Sequence, residues 1–206
     1  MKILALEVGM IGTNCYIAYN ENTNEAVVVD PGDEGTQIMA VVNKHHLKVV
    51  AIFVTHGHGD HIMALEDVRE ATGAPVYISQ EDAKLLHNST GNLSTFLGKA
   101  RSFGEPDEFF TDGEELTVAG MPFKIYATPG HTRGGVCIQS GDVVFCGDTV
   151  FAESIGRTDL PGGDYDTILQ SIKDKILTLP DETKLLPGHG PSTTVGWERR
   201  RNPFLQ

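Results

Sequence analysis

The sequence predicts an α/β or α+β domain with room for two layers of sheet. Three observations carry this. Strand-length apolar segments outnumber helical ones, the first half runs strand-strand-strand-helix-strand-helix-strand, and 206 residues with 40% hydrophobic content suffice for one sizeable core. Residues 2–7 alternate like a half-buried strand, and 14–19 and 26–30 read as two more. A helix is expected over 35–45, closed by the exposed pair His45 and His46, whose rings suit the C-terminal end of the helix dipole. Val49-Val50-Ala51-Ile52-Phe53-Val54 is a continuous apolar run, the pattern of a fully buried strand. A helix over 61–71 follows, with Ile62, Leu65 and Val68 as its apolar face, then a strand at 75–79 and a helix at 80–86. Residues 86–106 are the least regular stretch, long enough to read as a functional or mobile loop. Strands at 115–118, 122–127, 135–139 and 143–147, a helix at 165–178, a strand at 183–186 and a helix at 195–201 complete the chain. No repeat, long linker or low-complexity segment divides it, so a single domain over 1–206 is expected.

Chemistry concentrates at strand ends. Thr55-His56-Gly57-His58-Gly59-Asp60-His61 places three imidazoles and a carboxylate on a tight turn after the buried strand. Ligands in α/β folds usually sit at that end of a strand. Neutral imidazole with carboxylate suits zinc, iron or manganese, and a catalytic zinc commonly takes three protein ligands plus water. The same device recurs: His131 in Pro129-Gly130-His131, Asp148 in Cys146-Gly147-Asp148 and His189 in Pro187-Gly188-His189 each emerge from a turn after a short apolar run. His87 lies in a polar loop and reads as a surface residue.

The His-x-His-x-Asp-His motif, followed by His131, Asp148 and His189, resembles the metallo-β-lactamase-fold hydrolases, and most of all their glyoxalase II-like members. The likeness spans nearly the whole chain, from Thr13-Asn14-Cys15-Tyr16 and Val29-Asp30-Pro31-Gly32 to Pro187-Gly188-His189-Gly190. It implies an αββα sandwich with metals at the edge between the sheets. It also implies two divalent metal ions, zinc first, with iron or manganese as alternatives. One ion would take His56, His58 and His131, the other Asp60, His61 and His189, and Asp148 would bridge them. The stretches from Gly156 to Asp164 and from Trp197 to Pro203 resemble the short, single-domain branch of the group. With 17 residues after His189, the sequence is expected to lack the C-terminal helical region of full-length glyoxalase II.

The resemblance implies hydrolysis of a thioester, S-lactoylglutathione or a related hydroxyacyl thiol, by water activated between two metals. Asp60 would orient the nucleophile and accept its proton. Arg157, nine residues beyond Asp148, could reach the cleft and hold a substrate carboxylate bidentately, or pair instead with Asp159 or Asp164. A persulfide dioxygenase using one iron at His56, His131 and Asp148 is the alternative, as is a lactone or other ester hydrolase on the same fold. No Gly-x-Ser-x-Gly nucleophile elbow is present.

Composition bounds the partners. A net charge of -12 argues against nucleic acid, which requires a basic footprint. No apolar run approaches membrane-spanning length, and the N-terminus lacks a signal-peptide pattern. Three cysteines, Cys15, Cys137 and Cys146, lie in apolar strand contexts and read as buried free thiols. A cytoplasmic protein acting on a small molecule is expected, which disfavours a β-lactamase role.

Overall fold

The computed structural model describes residues 1–206. Six strands form a first sheet in chain order: β1 (Lys2–Val8), β2 (Thr13–Tyr19), β3 (Glu25–Val29), β4 (Lys48–Phe53), β5 (Val76–Ser79) and β6 (Glu108–Phe110). Helices α1 (Gly35–Lys44), α2 (Gly59–Ile62), α3 (Leu65–Thr72) and α4 (Gln80–Leu86) interrupt this series. The remaining strands are β7 (Glu115–Val118), β8 (Met121–Ala127), β9 (Val136–Ser140), β10 (Val143–Gly147), the short pair β11 (Val150–Phe151) and β12 (Ser154–Ile155), β13 (Lys184–Pro187) and β14 (Thr193–Thr194). Helices α5 (Tyr165–Ser171) and α6 (Val195–Arg201) complete the chain. The second sheet is ordered β14-β13-β10-β9-β8-β7.

Three apolar layers hold four layers of structure together. Ile38, Val42, Leu65 and Val68 of α1 and α3 pack on Ile17, Val28 and Ile52, the outer face of the first sheet. Tyr16, Val27, Val29 and Phe53 meet Phe123, Ile125, Ile138 and Phe145 between the sheets. Ile168, Ile172, Ile176 and Val195 cover Cys137, Val144, Cys146 and Leu185 on the outer face of the second sheet. Strand β4 is apolar without alternation because it is covered on both faces. Its Phe53 sits at the centre, with edge-on contacts to Phe110 at 5.2 Å and Phe123 at 5.1 Å. Truncating such a ring typically costs about 3–5 kcal/mol. The expected αββα sandwich is therefore the architecture observed.

The predicted elements are present, with three differences. The helix expected over 61–71 is two helices, α2 and α3. The Met63 N–H is shared between the carbonyls of Gly59 (2.9 Å) and Gly32 (3.1 Å), and the Ala64 N–H donates to Pro31 (3.0 Å), so the Pro31–Gly32 turn interrupts the ladder. The helix expected over 165–178 passes at Ile172–Ile176 into a π turn, with Leu177 N–H donating to Ile172 at 2.8 Å. Ile168, Ile172 and Ile176 recur every four residues, and the wider turn keeps all three on the sheet. Strands β6, β11, β12 and β14 were not expected; each has only two or three residues. Helices α4, α5 and α6 begin where Ser79, Asp164 and Thr194 cap the amides of Asp82, Thr167 and Trp197. No helix is long and apolar enough to cross a membrane. All three cysteines are buried free thiols, as expected.

Candidate metal centre

The seven residues singled out by their strand-end turns converge at one edge of the sandwich. They form two groups that could hold a metal ion, His56–His58–His131 and Asp60–His61–Asp148–His189. Within each, the ligand atoms lie within 4.8 Å of one another. His58 Nδ1 and His131 Nε2 are 2.9 Å apart. His61 Nε2 lies 3.4 Å from Asp60 Oδ2 and 3.3 Å from Asp148 Oδ1, and His189 Nε2 lies 3.0 Å from Asp60 Oδ2. Asp148 stands between the groups, its Oδ2 3.6 Å from both His131 Nε2 and His189 Nε2.

Three of the five imidazoles are aimed by a partner on the far side of the ring, the arrangement that fixes ring tautomers at metal sites. His61 Nδ1 lies 2.9 Å from Asp30 Oδ2, and His131 Nδ1 donates to the carbonyl of Arg157 at 2.7 Å. His56 Nδ1 lies 3.2 Å from the Thr55 hydroxyl. Asp30 is itself buried and also accepts from the Thr55 amide and hydroxyl, both at 2.7 Å. The loop carrying His189 is fastened to β2, where Asn14 Nδ2 donates to Pro187 and Gly190 and Tyr16 OH donates to Pro187. The irregular stretch 86–106 closes the other side: Gly59 N–H donates to Asn92 at 2.5 Å, pinning the start of α2.

The electrostatics divide the centre. Burial, then the neighbouring imidazoles of His61 and His131, hold His56 well below the ordinary histidine range. Burial and the His131 ring bring His58 down to about 3. Burial also disfavours a charged His61, but Asp148, Asp60 and Asp30 outweigh it and raise that ring. Burial opposes ionisation of Asp60, yet His61 and His189 keep its carboxyl below the usual range. Nε2 of His56 and His61 and Oδ1 of Asp148 are buried without a hydrogen-bond partner. Buried polar atoms are ordinarily paired, so three orphans in one cluster fit a cation that takes their lone pairs.

Arg157 is placed differently from the other candidates. Its exposed guanidinium is held bidentately by Asp159, Nε to Oδ1 and Nη2 to Oδ2, each at 2.8 Å. Its backbone carbonyl, not its charge, touches the centre. His87 is exposed and pairs with Glu105, and His45 and His46 are exposed, all away from the site. A cavity of about 190 Å³ opens beside Asp60, lined by Met10, Ile11, Met63, Leu97 and Lys99. A larger cleft of about 880 Å³, lined by Ile3, Asn20, Asp142 and Lys184, lies at the opposite ends of the strands. Asp30 and Asp82, buried supports of the centre, were not among the expected site residues.

Residues 8–189 match the sequence profile of the Metallo-beta-lactamase superfamily. The chain is 36% identical to hydroxyacylglutathione hydrolase GloC of Haemophilus influenzae, over 100% of this chain and 98% of that one. The fold superposes on BLEG-1 B3 metallo-beta-lactamase with a TM-score of 0.95 at 39% identity, covering 100% of both chains. It superposes on a di-iron-bound form of TTHA1623 with a TM-score of 0.86 at 34% identity, covering 98% of this chain and 100% of that one. With that match across most of its length and seven candidate ligands gathered at one edge, the chain belongs to the metallo-β-lactamase superfamily, a fold of metal-dependent hydrolases.

Proposed function

We propose that this protein hydrolyses thioesters in the cytoplasm, with S-lactoylglutathione or a related hydroxyacyl thiol as substrate. The observation that carries the reading is Asp148, equidistant at 3.6 Å from a histidine of each ligand group. In this reading His56, His58 and His131 hold one divalent ion, Asp60, His61 and His189 hold a second, and Asp148 is shared. Zinc is the first choice, with iron or manganese as alternatives. Such ions, when bound, lower the pKa of water from ~15.7 toward ~7 and polarise a carbonyl.

The side chains supply the rest. Asp60 accepts from Thr13 Oγ1 at 3.4 Å, and its ionised carboxylate orients the attacking water and accepts its proton. Asp30 keeps the His61 ring turned toward Asp148. The apolar walls of the cavity beside Asp60 receive the acyl group. Arg157 holds a carboxylate of the thiol carrier by exchanging Asp159 for it; an exposed ion pair of that kind is worth only about 0–1 kcal/mol.

Similarity to GloC supports the thioester reading, and similarity to BLEG-1 supports a second, β-lactam hydrolysis by the same residues. The test combines elemental analysis with a panel of hydroxyacyl thioesters, lactones, β-lactams and glutathione persulfide. Two transition-metal ions per chain and the highest kcat/KM on a thioester are expected. Faster turnover of β-lactams, or one firmly bound iron with oxygen uptake on persulfide, would overturn the reading.

A further inference from the structure

One buried carboxylate near the centre belongs to neither ligand group. Asp82 lies in the first turn of α4, is 1% exposed, and hydrogen-bonds to the turns beside the ligands and not to a candidate ligand side chain. Its Oδ2 accepts the Gly57 N–H at 3.0 Å and its Oδ1 accepts the Gly134 N–H at 2.7 Å. Gly57 stands between His56 and His58, and Gly134 lies three residues past His131. A single carboxylate therefore ties the turn leaving β4 of the first sheet to the turn entering β9 of the second.

The fit is close on both sides. A Cβ on Gly134 would collide first with the Ser79 hydroxyl and would meet the Asp82 amide nitrogen at 2.6 Å and Asp82 Oδ1 at 2.7 Å, and one on Gly57 would meet the Asp82 carbonyl and Leu85 Cβ, each at 2.8 Å. Asp82 is fixed from behind, because its own amide donates to the Ser79 cap at 3.2 Å. Burial pushes its carboxyl up, while the Thr132 hydroxyl and the Gly57 and Gly134 amides pull it back. A carboxylate buried with neutral donors instead of a cation is costly to keep, which argues that its contacts matter. The other group has its own support in Asp30, which reaches His61 directly.

We propose that Asp82 is the positioning residue of the three-histidine group, setting the distance of His56 and His58 from His131 and so the metal affinity of that half alone. The inference rests on the reading that this group binds a metal ion. An Asp82→Asn side chain keeps one acceptor but turns an NH₂ against one of the two amides.

The test is zinc titration of the full-length protein against a competing chelator. Wild type should bind two ions. Asp82→Asn should weaken one of them roughly 10–100-fold, the usual cost of losing an outer-shell support, and leave the other unchanged. The weakened ion should be the one that His58→Ala removes. Equal weakening of both ions would make Asp82 a general structural residue, and wild-type affinity at both would leave it without a role; either result overturns the proposal. A His58→Ala protein that still binds two ions tightly would overturn the ligand assignment itself and this inference with it. Should Asp82→Asn not fold, Asp82→Glu keeps the charge but displaces both oxygens from the Gly57 and Gly134 amides and should weaken the same ion. Unchanged zinc binding by that variant would refute the clamp.

Discussion

The two ligand groups differ in their walls. His56, His58 and His131 are 2%, 3% and 5% exposed, and their surroundings favour neutral rings for His56 and His58. The other group contains both carboxylates, and its Asp60 and His189 side chains are 15% and 25% exposed. Asp60 also lines the cavity that opens beside it. One half is enclosed; the other is charged, partly open and beside the cavity that the proposed function gives to the substrate. The difference teaches that burial and charge are divided between the halves, although the turns that carry them look alike in sequence.

The largest effect should come from the open half. Asp60→Asn keeps the size of the side chain but removes a charge and a proton acceptor. Thioester turnover at saturating metal should fall by roughly 10²–10⁴. Near-normal kcat in that variant would take Asp60 out of the chemistry and leave the division without catalytic meaning.

Asp30→Asn sharpens the comparison as the counterpart of Asp82→Asn. Loss of the Asp30 carboxylate frees the His61 ring, so the ion held with Asp60 and His189 should weaken roughly 10–100-fold, while the three-histidine ion, which Asp30 reaches only through Thr55, should weaken less. Metal stoichiometry under chelator competition reads this directly. If the three-histidine ion were lost first, the two halves would not be supported separately.

The smallest effect belongs to Arg157→Ala. Its backbone carbonyl stays in place for His131, so kcat should be unchanged. KM should rise roughly tenfold for thioesters that carry a carboxylate on the thiol, the low end of the range for a charged hydrogen bond, because Asp159 already competes for the guanidinium. Steady-state kinetics on charged and uncharged thioesters separate the cases. Equal losses on both would remove Arg157 from substrate recognition.

The seven clustered residues were legible because each announces itself locally, as a rare ligand type just after an apolar run and a glycine turn. The buried strand at 49–54 was legible for a similar reason, its unbroken apolar sequence. Asp30 was visible only as part of Val29-Asp30-Pro31-Gly32. Its role depends on Thr55 and His61, 25 and 31 residues away, and no local pattern encodes that pairing. Asp82 was hidden by a good alternative, since an acidic residue in the first turn of a helix is favourable in any exposed helix. Its partners lie on two different sheets. The break between α2 and α3 was illegible because carbonyls of the distant Pro31–Gly32 turn cause it, while Ile62, Leu65 and Val68 keep an apolar spacing that suits one continuous helix.

Each sheet is drawn from one continuous stretch of chain, β1–β6 ending at Phe110 and β7 beginning at Glu115. Synthesis runs from the N-terminus, while a domain generally folds as a unit. The residues of the first sheet, with His56, His58, Asp60 and His61 at its edge, therefore emerge before His131, Asp148 and His189 have been made. During that interval Tyr16, Val27, Val29 and Phe53 present an uncovered apolar face, the kind of surface that aggregates or recruits chaperones. Neither ligand group is complete at that stage, since each needs residues from the second sheet. An ion that needs either complete group would be bound only after His189 has been made and the two sheets have docked, so such a centre would mark finished folding and not nucleate it.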